Sequence, residues 1–231
     1  MYNVLITGAS KGLGFSLTRI YLERGHKVIA TYRQNLEYLE EIKDKYENLI
    51  LYPMDVASEE SVRTAYNFIS SKVPAIDILI NNAAIYIEDR TRTIENIDID
   101  RVVWTLNVNA VGPLRVLKYF YPLVEKGNKK LIINVSSEAG SIGNCWRDRE
   151  YGYCMSKSAL NMASAILQNY GKEKNIKVLV IHPGWMRTDM GGKDADISPD
   201  EAGEGIYSLS MKDWKIDKDI YMDYKGNKMP W

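Results

Sequence analysis

The sequence predicts a doubly wound α/β fold, a mainly parallel sheet with helices on both faces. Three observations carry that prediction. Short, continuous apolar runs rich in Val, Ile and Leu alternate with longer amphipathic segments, the pattern of strands buried on both faces and joined by crossover helices. A glycine-rich turn lies directly between the first apolar run and the first amphipathic one, the place where dinucleotide-binding folds hold a pyrophosphate. With 231 residues, 45% hydrophobic and 26% charged, the chain fits one large core better than two small ones.

Taken in order, the first strand is expected at residues 4–6, the glycine turn next, and a helix over 13–24. A second strand follows at 28–30, with a helix over 36–46, and a third strand at 49–51. The next helix spans 59–71, its start marked by Ser58 and Glu59, a hydroxyl and an acid suited to free first-turn amides. The fourth strand falls at 76–80, a long helix at 100–124, the fifth strand at 131–135, a helix at 153–172 and the sixth strand at 178–181. Ser198-Pro199-Asp200-Glu201 then opens a further helix. Right-handed crossovers distribute these helices over both faces of one sheet. No Pro-, Gly- or Ser-rich linker, internal repeat or low-complexity tract interrupts residues 1–231, so one domain is expected.

Thirty Lys and Arg balance thirty Asp and Glu, leaving no global field to attract nucleic acid or an anionic membrane. A small, neutral partner is expected instead. The first strand runs straight into the glycine turn, without the charged and apolar regions of a secretion signal. No apolar run approaches the ~20 residues of a membrane span. Two cysteines, Cys145 and Cys154, make a poor disulfide framework. A cytoplasmic protein is expected, and no metal site.

Tyr153 and Lys157 stand four residues apart, which on a helix puts a phenol and an ammonium on one face, a turn apart. A free phenol has a pKa near ~10, and a neighbouring cation favours its phenolate. The pair therefore points to proton transfer. Tyr170/Lys174, Tyr221/Lys225 and Tyr224/Lys228 repeat the spacing, but only Tyr153 opens a long helix after the strand that ends in Ser136-Ser137.

The turn Thr7-Gly8-Ala9-Ser10-Lys11-Gly12-Leu13-Gly14 departs from the G-x-G-x-x-G fingerprint. It resembles the T-G-x-x-x-G-x-G turn of the short-chain dehydrogenase/reductase family. The likeness extends along the chain through Asp55-Val56, Asn81-Asn82-Ala83-Ala84, Asn109, Ser136-Ser137, Tyr153 with Lys157, and His182-Pro183-Gly184. The segments after Thr188 and from Tyr224 to the end are similar to a carbonyl-reductase subgroup related to sniffer and C-factor proteins. The resemblance implies a Rossmann-type sheet of about seven strands in the order 3-2-1-4-5-6-7. It implies a catalytic set of Asn109, Ser137, Tyr153 and Lys157, in which Tyr153 is the general acid. Lys157 would lower the tyrosine's pKa and hold the nicotinamide ribose, Ser137 would orient the substrate oxygen, and Asn109 would hold a water relay to Lys157.

The same resemblance implies a cofactor site. Gly8, Ser10, Lys11, Gly12, Leu13 and Gly14 would surround the pyrophosphate, and Asp55 and Val56 the adenine. Asn82, Ala83 and Ala84 would lie on the ribose side. Tyr153, Lys157, Pro183, Gly184, Trp185, Met186 and Thr188 would surround the nicotinamide. Arg33 and Lys11, with no carboxylate in Ala30-Thr31-Tyr32-Arg33-Gln34, favour NADP(H) over NAD(H), because arginine suits a 2′-phosphate.

Each of these residues also has a plainer reading. Ser137 is compatible with capping a strand end, Asn109 with a hydrogen-bonded core position, and Asp55 with an N-cap. Lys11 and Arg33 are compatible with solvated charges, and Cys154 with simple packing. Three features depart from the family pattern. Ala84 replaces a glycine, the Ser137–Tyr153 interval is longer by about three residues, and little chain follows Thr188 for a substrate lid. The lengthened loop, 143–150, is expected to border the entrance. There Trp146 could form an apolar wall, and Arg147 and Arg149 could meet an acidic substrate or simply be solvated.

The function expected is NADPH-dependent reduction of an aldehyde or ketone. The alternative is an NADP(H)-binding signalling or scaffold protein with little turnover. A homodimer or homotetramer is compatible with the family, and a monomer stays open.

Overall fold

The computed structural model describes residues 1–231. Seven parallel strands form one sheet in the order β3-β2-β1-β4-β5-β6-β7. They are β1 (Asn3–Ile6), β2 (Lys27–Tyr32), β3 (Leu49–Pro53), β4 (Ile78–Asn81), β5 (Leu131–Val135), β6 (Lys177–His182) and β7 (Tyr221–Asp223). The helices are α1 (Gly12–Glu23), α2 (Glu59–Ser70), α3 (Ile99–Leu106), α4 (Gly112–Glu125), α5 (Tyr151–Gly171) and α6 (Pro199–Met211).

Alternate strand residues face opposite sides of a sheet, so the continuous apolar runs divide between two cores. Val4, Ile6, Ile78 and Ile80 pack with Leu17 and Tyr21 of α1 and Ile206 of α6. Leu5, Leu79 and Ile132 pack on the other face with Ile69 of α2 and Phe120 of α4. Right-handed crossovers produce this double layer, and all the βα turns consequently open at the carboxyl edge of the sheet.

Two expected helices are altered. The 36–46 helix is reduced to a 3₁₀ turn over Glu37–Glu41, and Glu37 has positive φ (47°). Only Leu39 and Ile42 are buried in that charged segment, too little apolar surface to hold a full helix. The 100–124 helix is divided by a π turn at Asn107–Val111. Pro113 lacks the amide that would bond the Asn109 carbonyl, so the regular ladder cannot pass through this point. The six strands expected from apolar runs are joined by β7, a three-residue edge strand whose Tyr221 and Met222 are buried. Ser58 and Ser198 cap α2 and α6 through Ser61 and Glu201 amides at 3.2 and 3.1 Å. No helix is long and apolar enough to cross a membrane.

Candidate active site

The glycine turn connects β1 to α1 and is laced to the chain leaving β4. The Thr7 hydroxyl accepts from the Asn82 and Ala83 amides, both at 3.0 Å. The Asn82 side chain donates to the Thr7 and Gly8 carbonyls, both at 2.9 Å. Gly8 has positive φ (64°), and a Cβ there would meet Ala83 Cα at 2.8 Å, so the close approach of the two segments requires glycine. Lys11, the N-cap of α1, supplies no side-chain cap, which leaves first-turn amides directed at the cleft. Free amides on a positive helix end suit a pyrophosphate. A cradle of this chemistry fits a dinucleotide.

The loop after β6 folds back over the same turn. A Cβ on Gly12 would meet Thr188 Cγ2 at 3.3 Å. Pro183 and Gly184, the latter at φ 84°, lead to Trp185, whose indole donates to the Gly191 carbonyl at 2.8 Å. Met186 bridges Ile197. Leu13 and Val56 have their side chains in the cores, so only their backbones can face a cofactor. Asp55 is not a helix cap: Ser58 fills that role, while Asp55 accepts from the Ala57 amide at 2.9 Å. Ser10 and Ala84 are half-buried beside these segments.

The two cations expected to choose the cofactor differ. Lys11 is paired with Asp189 at 3.0 Å and Glu37 at 3.7 Å, and the hydrogen bond to Asp189 holds its ammonium above the usual range. Arg33, just past the end of β2, is exposed and makes no ion pair. Sequence spacing could not reveal that Glu37 and Asp189 converge on Lys11.

At the carboxyl end of β5, the paired serines separate in role. The Ser136 hydroxyl donates to Asn161 in the interior at 2.6 Å. Ser137 keeps its hydroxyl in the site, accepting from the Ala139 amide at 3.2 Å, and its carbonyl accepts from the Tyr221 hydroxyl at 2.6 Å. The Ser137 oxygen thus caps the turn while its hydroxyl proton is turned to the Tyr153 phenol.

Tyr153 and Lys157 occupy the first two turns of α5. Lys157 is 2% exposed, donates to the Val135 carbonyl at 2.9 Å, and lies 5.7 Å from the centre of the Tyr153 ring. Burial pushes the phenol of Tyr153 up to about 12, with the Ser137 hydroxyl pulling it back. Burial likewise brings the Lys157 ammonium down to about 8. Burial is the largest influence on each group and disfavours both charged forms, so the lowering of the tyrosine expected from the lysine does not set its acidity. Tyr86 packs edge-on against Tyr153, ring centres 5.2 Å apart.

Asn109 sits in the π turn, 1% exposed. Its side chain donates to the Ile85 carbonyl at 2.9 Å and to the Ser156 hydroxyl at 3.1 Å, and accepts from the Ile85 amide at 2.8 Å. Both amide protons are used, so any water relay from this residue would depend on an oxygen acceptor such as the backbone carbonyl that Pro113 leaves without its regular partner.

The lengthened loop holds the main corrections. Arg147 makes a fork to Glu138 at 2.5 and 2.6 Å and donates to Glu150 at 2.8 Å. Arg149 is taken up by Asp148 at 2.8 and 2.9 Å. The Arg147 guanidinium, shielded and held by two glutamates, is not available to an acidic substrate, whereas Arg149 is paired only with exposed Asp148 and is the solvated charge of the plainer reading. Trp146 is 75% exposed and stacks on the Arg147 guanidinium at 4.5 Å, so it does not form a buried wall. The Glu138 amide donates to His182 at 3.2 Å, and burial holds that imidazole below its usual pKa, in the neutral form able to accept. Cys154 is half-buried, its thiol pushed up to about 11 by burial, which makes it inert packing.

The parallel sheet, the glycine turn before α1 and the candidate site residues gathered at the sheet's carboxyl edge define a Rossmann-type α/β protein. More narrowly, the chain belongs to the short chain dehydrogenase family, a family of oxidoreductases, whose model matches residues 2–197. It is 31% identical to the C-signal protein of Myxococcus xanthus over 156 residues, covering 68% of this chain and 93% of that one. It is 30% identical to 1-hydroxy-2-glutathionyl-2-methyl-3-butene dehydrogenase of Rhodococcus over 211 residues, 89% of each chain. Among solved structures, the NADPH-bound carbonyl reductase from chicken fatty liver superimposes with a TM-score of 0.91 at 29% identity, over 100% of this chain and 99% of that one. The carbonyl reductase Sniffer of D. melanogaster gives the same TM-score at 28% identity, over 100% of both chains.

Proposed function

We propose that this protein is an NADPH-dependent carbonyl reductase. The observation that carries the proposal is the meeting of a half-buried phenol, a buried ammonium and a serine hydroxyl beside the phosphate-binding turn. The likeness to an NADPH-bound carbonyl reductase supports it. Bound NADPH supplies the hydride. Negative charge then develops on the substrate oxygen, and this chain's contribution is a proton donor and a hydrogen bond at that atom. Tyr153 gives the proton, and Ser137 orients the oxygen by donating to it. Lys157 holds the ribose and lowers the phenol's pKa when the cleft fills, opposing the burial that raises it. Asn109 fixes the chain after β4 against α5.

Unpaired Arg33 is the residue we assign to the 2′-phosphate, and with it the preference for NADPH over NADH. Loss of NADPH absorbance against a panel of aldehydes, ketones and diketones is the test. Turnover of at least one class, with Arg33→Asp weakening NADPH more than NADH, is the expected result. Tight NADPH binding without oxidation on any substrate would favour the signalling alternative. An unchanged coenzyme preference would remove Arg33 from its role.

The proposal includes a cytoplasmic setting, to which the two free cysteines are suited. It also includes self-association. Val103 and Trp104 of α3, Leu114 of α4, and Met162, Ile166 and Tyr170 of α5 are exposed, an apolar surface that a second copy could cover.

A further inference from the structure

The helix that carries Tyr153 has no cap of its own. Its N-cap residue, Glu150, has positive φ (66°), makes no side-chain cap bond, and is followed by no acid in the first turn. First-turn amides lack intrahelical acceptors, and the positive helix end favours an anion. The anion here comes from a residue 64 positions away. One oxygen of Glu88 accepts from the Gly152 amide at 2.7 Å, and the other from the Tyr153 amide at 2.6 Å.

We propose that Glu88 is a positioning residue for the reaction, a remote two-pronged cap that fixes Tyr153 through that residue's own backbone nitrogen. The inference rests on Tyr153 being the general acid. Gly152 is shaped to the contact: a Cβ there would meet the Glu88 carboxyl carbon and one of its oxygens at 3.2 Å, and Val102 Cα at 3.0 Å. The segment bearing Glu88 is itself held. Arg101 of α3 donates to the Ile87 carbonyl at 3.0 Å, and Tyr86 donates to Glu150 at 2.5 Å while its ring abuts Tyr153. The chain from 86 to 88 thus grips the start of α5 at a side chain, a ring face and two amides. Bonds to a carboxylate are short and about twice as strong as neutral ones. Misplacing a reacting group by about 1 Å can cost on the order of 10²-fold in rate, so the precision of this grip bears directly on proton transfer.

The test compares Glu88→Gln, which keeps one acceptor, with Glu88→Ala, which keeps none. Ser198→Ala, which removes the cap of α6 away from the cleft, controls for a simple loss of stability. Three quantities are measured: kcat with a carbonyl substrate, Kd for NADPH by fluorescence, and amide exchange of the peptide spanning residues 150–158. The expected result is a graded fall in kcat, about threefold for Gln and about tenfold for Ala. Kd should stay within about twofold, and exchange should be faster at the start of α5. Ser198→Ala should leave kcat and that exchange unchanged. Unchanged kcat in both Glu88 variants would overturn the proposal, as would an equal loss of NADPH affinity or undisturbed exchange. If Glu88→Ala does not fold, Glu88→Gln carries the test. A wild-type protein that reduces no carbonyl would sink the reaction assigned above, while the exchange measurement would still decide whether Glu88 holds Tyr153.

Discussion

Tyr153 and Lys157 share one face of α5, and burial moves their acidities apart from the usual values in opposite directions, to about 12 and about 8. At neutral pH both therefore carry their protons, and Tyr153 has one to give. Tyr153→Phe should keep NADPH binding while losing turnover by about 10²-fold or more. Tyr170→Phe, on an exposed residue of the same helix, should change neither; steady-state kinetics and fluorescence titration check both. Lys157 makes a second, opposite prediction about stability. Its folded pKa lies below the unfolded value of 10.5, so the unfolded chain binds more protons between the two values and stability rises with pH there. Below about 8 the full cost of a buried ammonium is present. Lys157→Met should consequently be more stable than wild type at pH 7, by on the order of 1–3 kcal/mol in urea unfolding. The difference should shrink as pH rises from 8 towards 10.5, while turnover is lost at every pH. A variant less stable than wild type at pH 7 would contradict this account.

Between elements, the site depends on places where regular structure is broken. Pro113 opens the π turn that carries Asn109, and Asn109 then joins the chain after β4 to α5. Among the contacts that hold the long loop before α5, the Gly143 amide donates to the Trp231 carbonyl at 2.7 Å, and Arg147 links Glu138, next to Ser137, with Glu150 at the head of α5. Its guanidinium is mostly shielded from water, and removing one partner of a shielded ion group strands the others. Arg147→Met should therefore cost about 2–3 kcal/mol in urea unfolding and raise KM for the carbonyl more than KM for NADPH. A surface-like loss below about 0.5 kcal/mol would show that the fork is only a solvated pair.

At the scale of the molecule, one face of the α3–α4–α5 layer is left uncovered, and sedimentation at micromolar concentration should find a dimer. Met162→Glu with Val103→Glu should shift it to monomer without changing the circular dichroism, whereas a wild-type monomer would remove that assignment. Much of the architecture was legible in residue order, because the signals are local. Continuous apolar runs mark doubly buried strands, and Gly8 and Gly14 mark a turn that tolerates no side chain. The four-residue spacing of Tyr153 and Lys157 marks one helix face. The helix expected at 36–46 failed because propensity cannot report that only Leu39 and Ile42 of that segment become buried. The partnerships were equally invisible: Glu88 on the Tyr153 amide, Tyr221 on the Ser137 carbonyl, Asp189 on Lys11, and Arg147 between two glutamates. A charge or hydroxyl is written into the sequence, but its partner depends on which distant segment the fold sets beside it. Hydrogen bonds and desolvation act over a few ångströms of space, whatever the separation along the chain. The order of residues thus settled which groups could do chemistry, and packing settled which of them are free to do it.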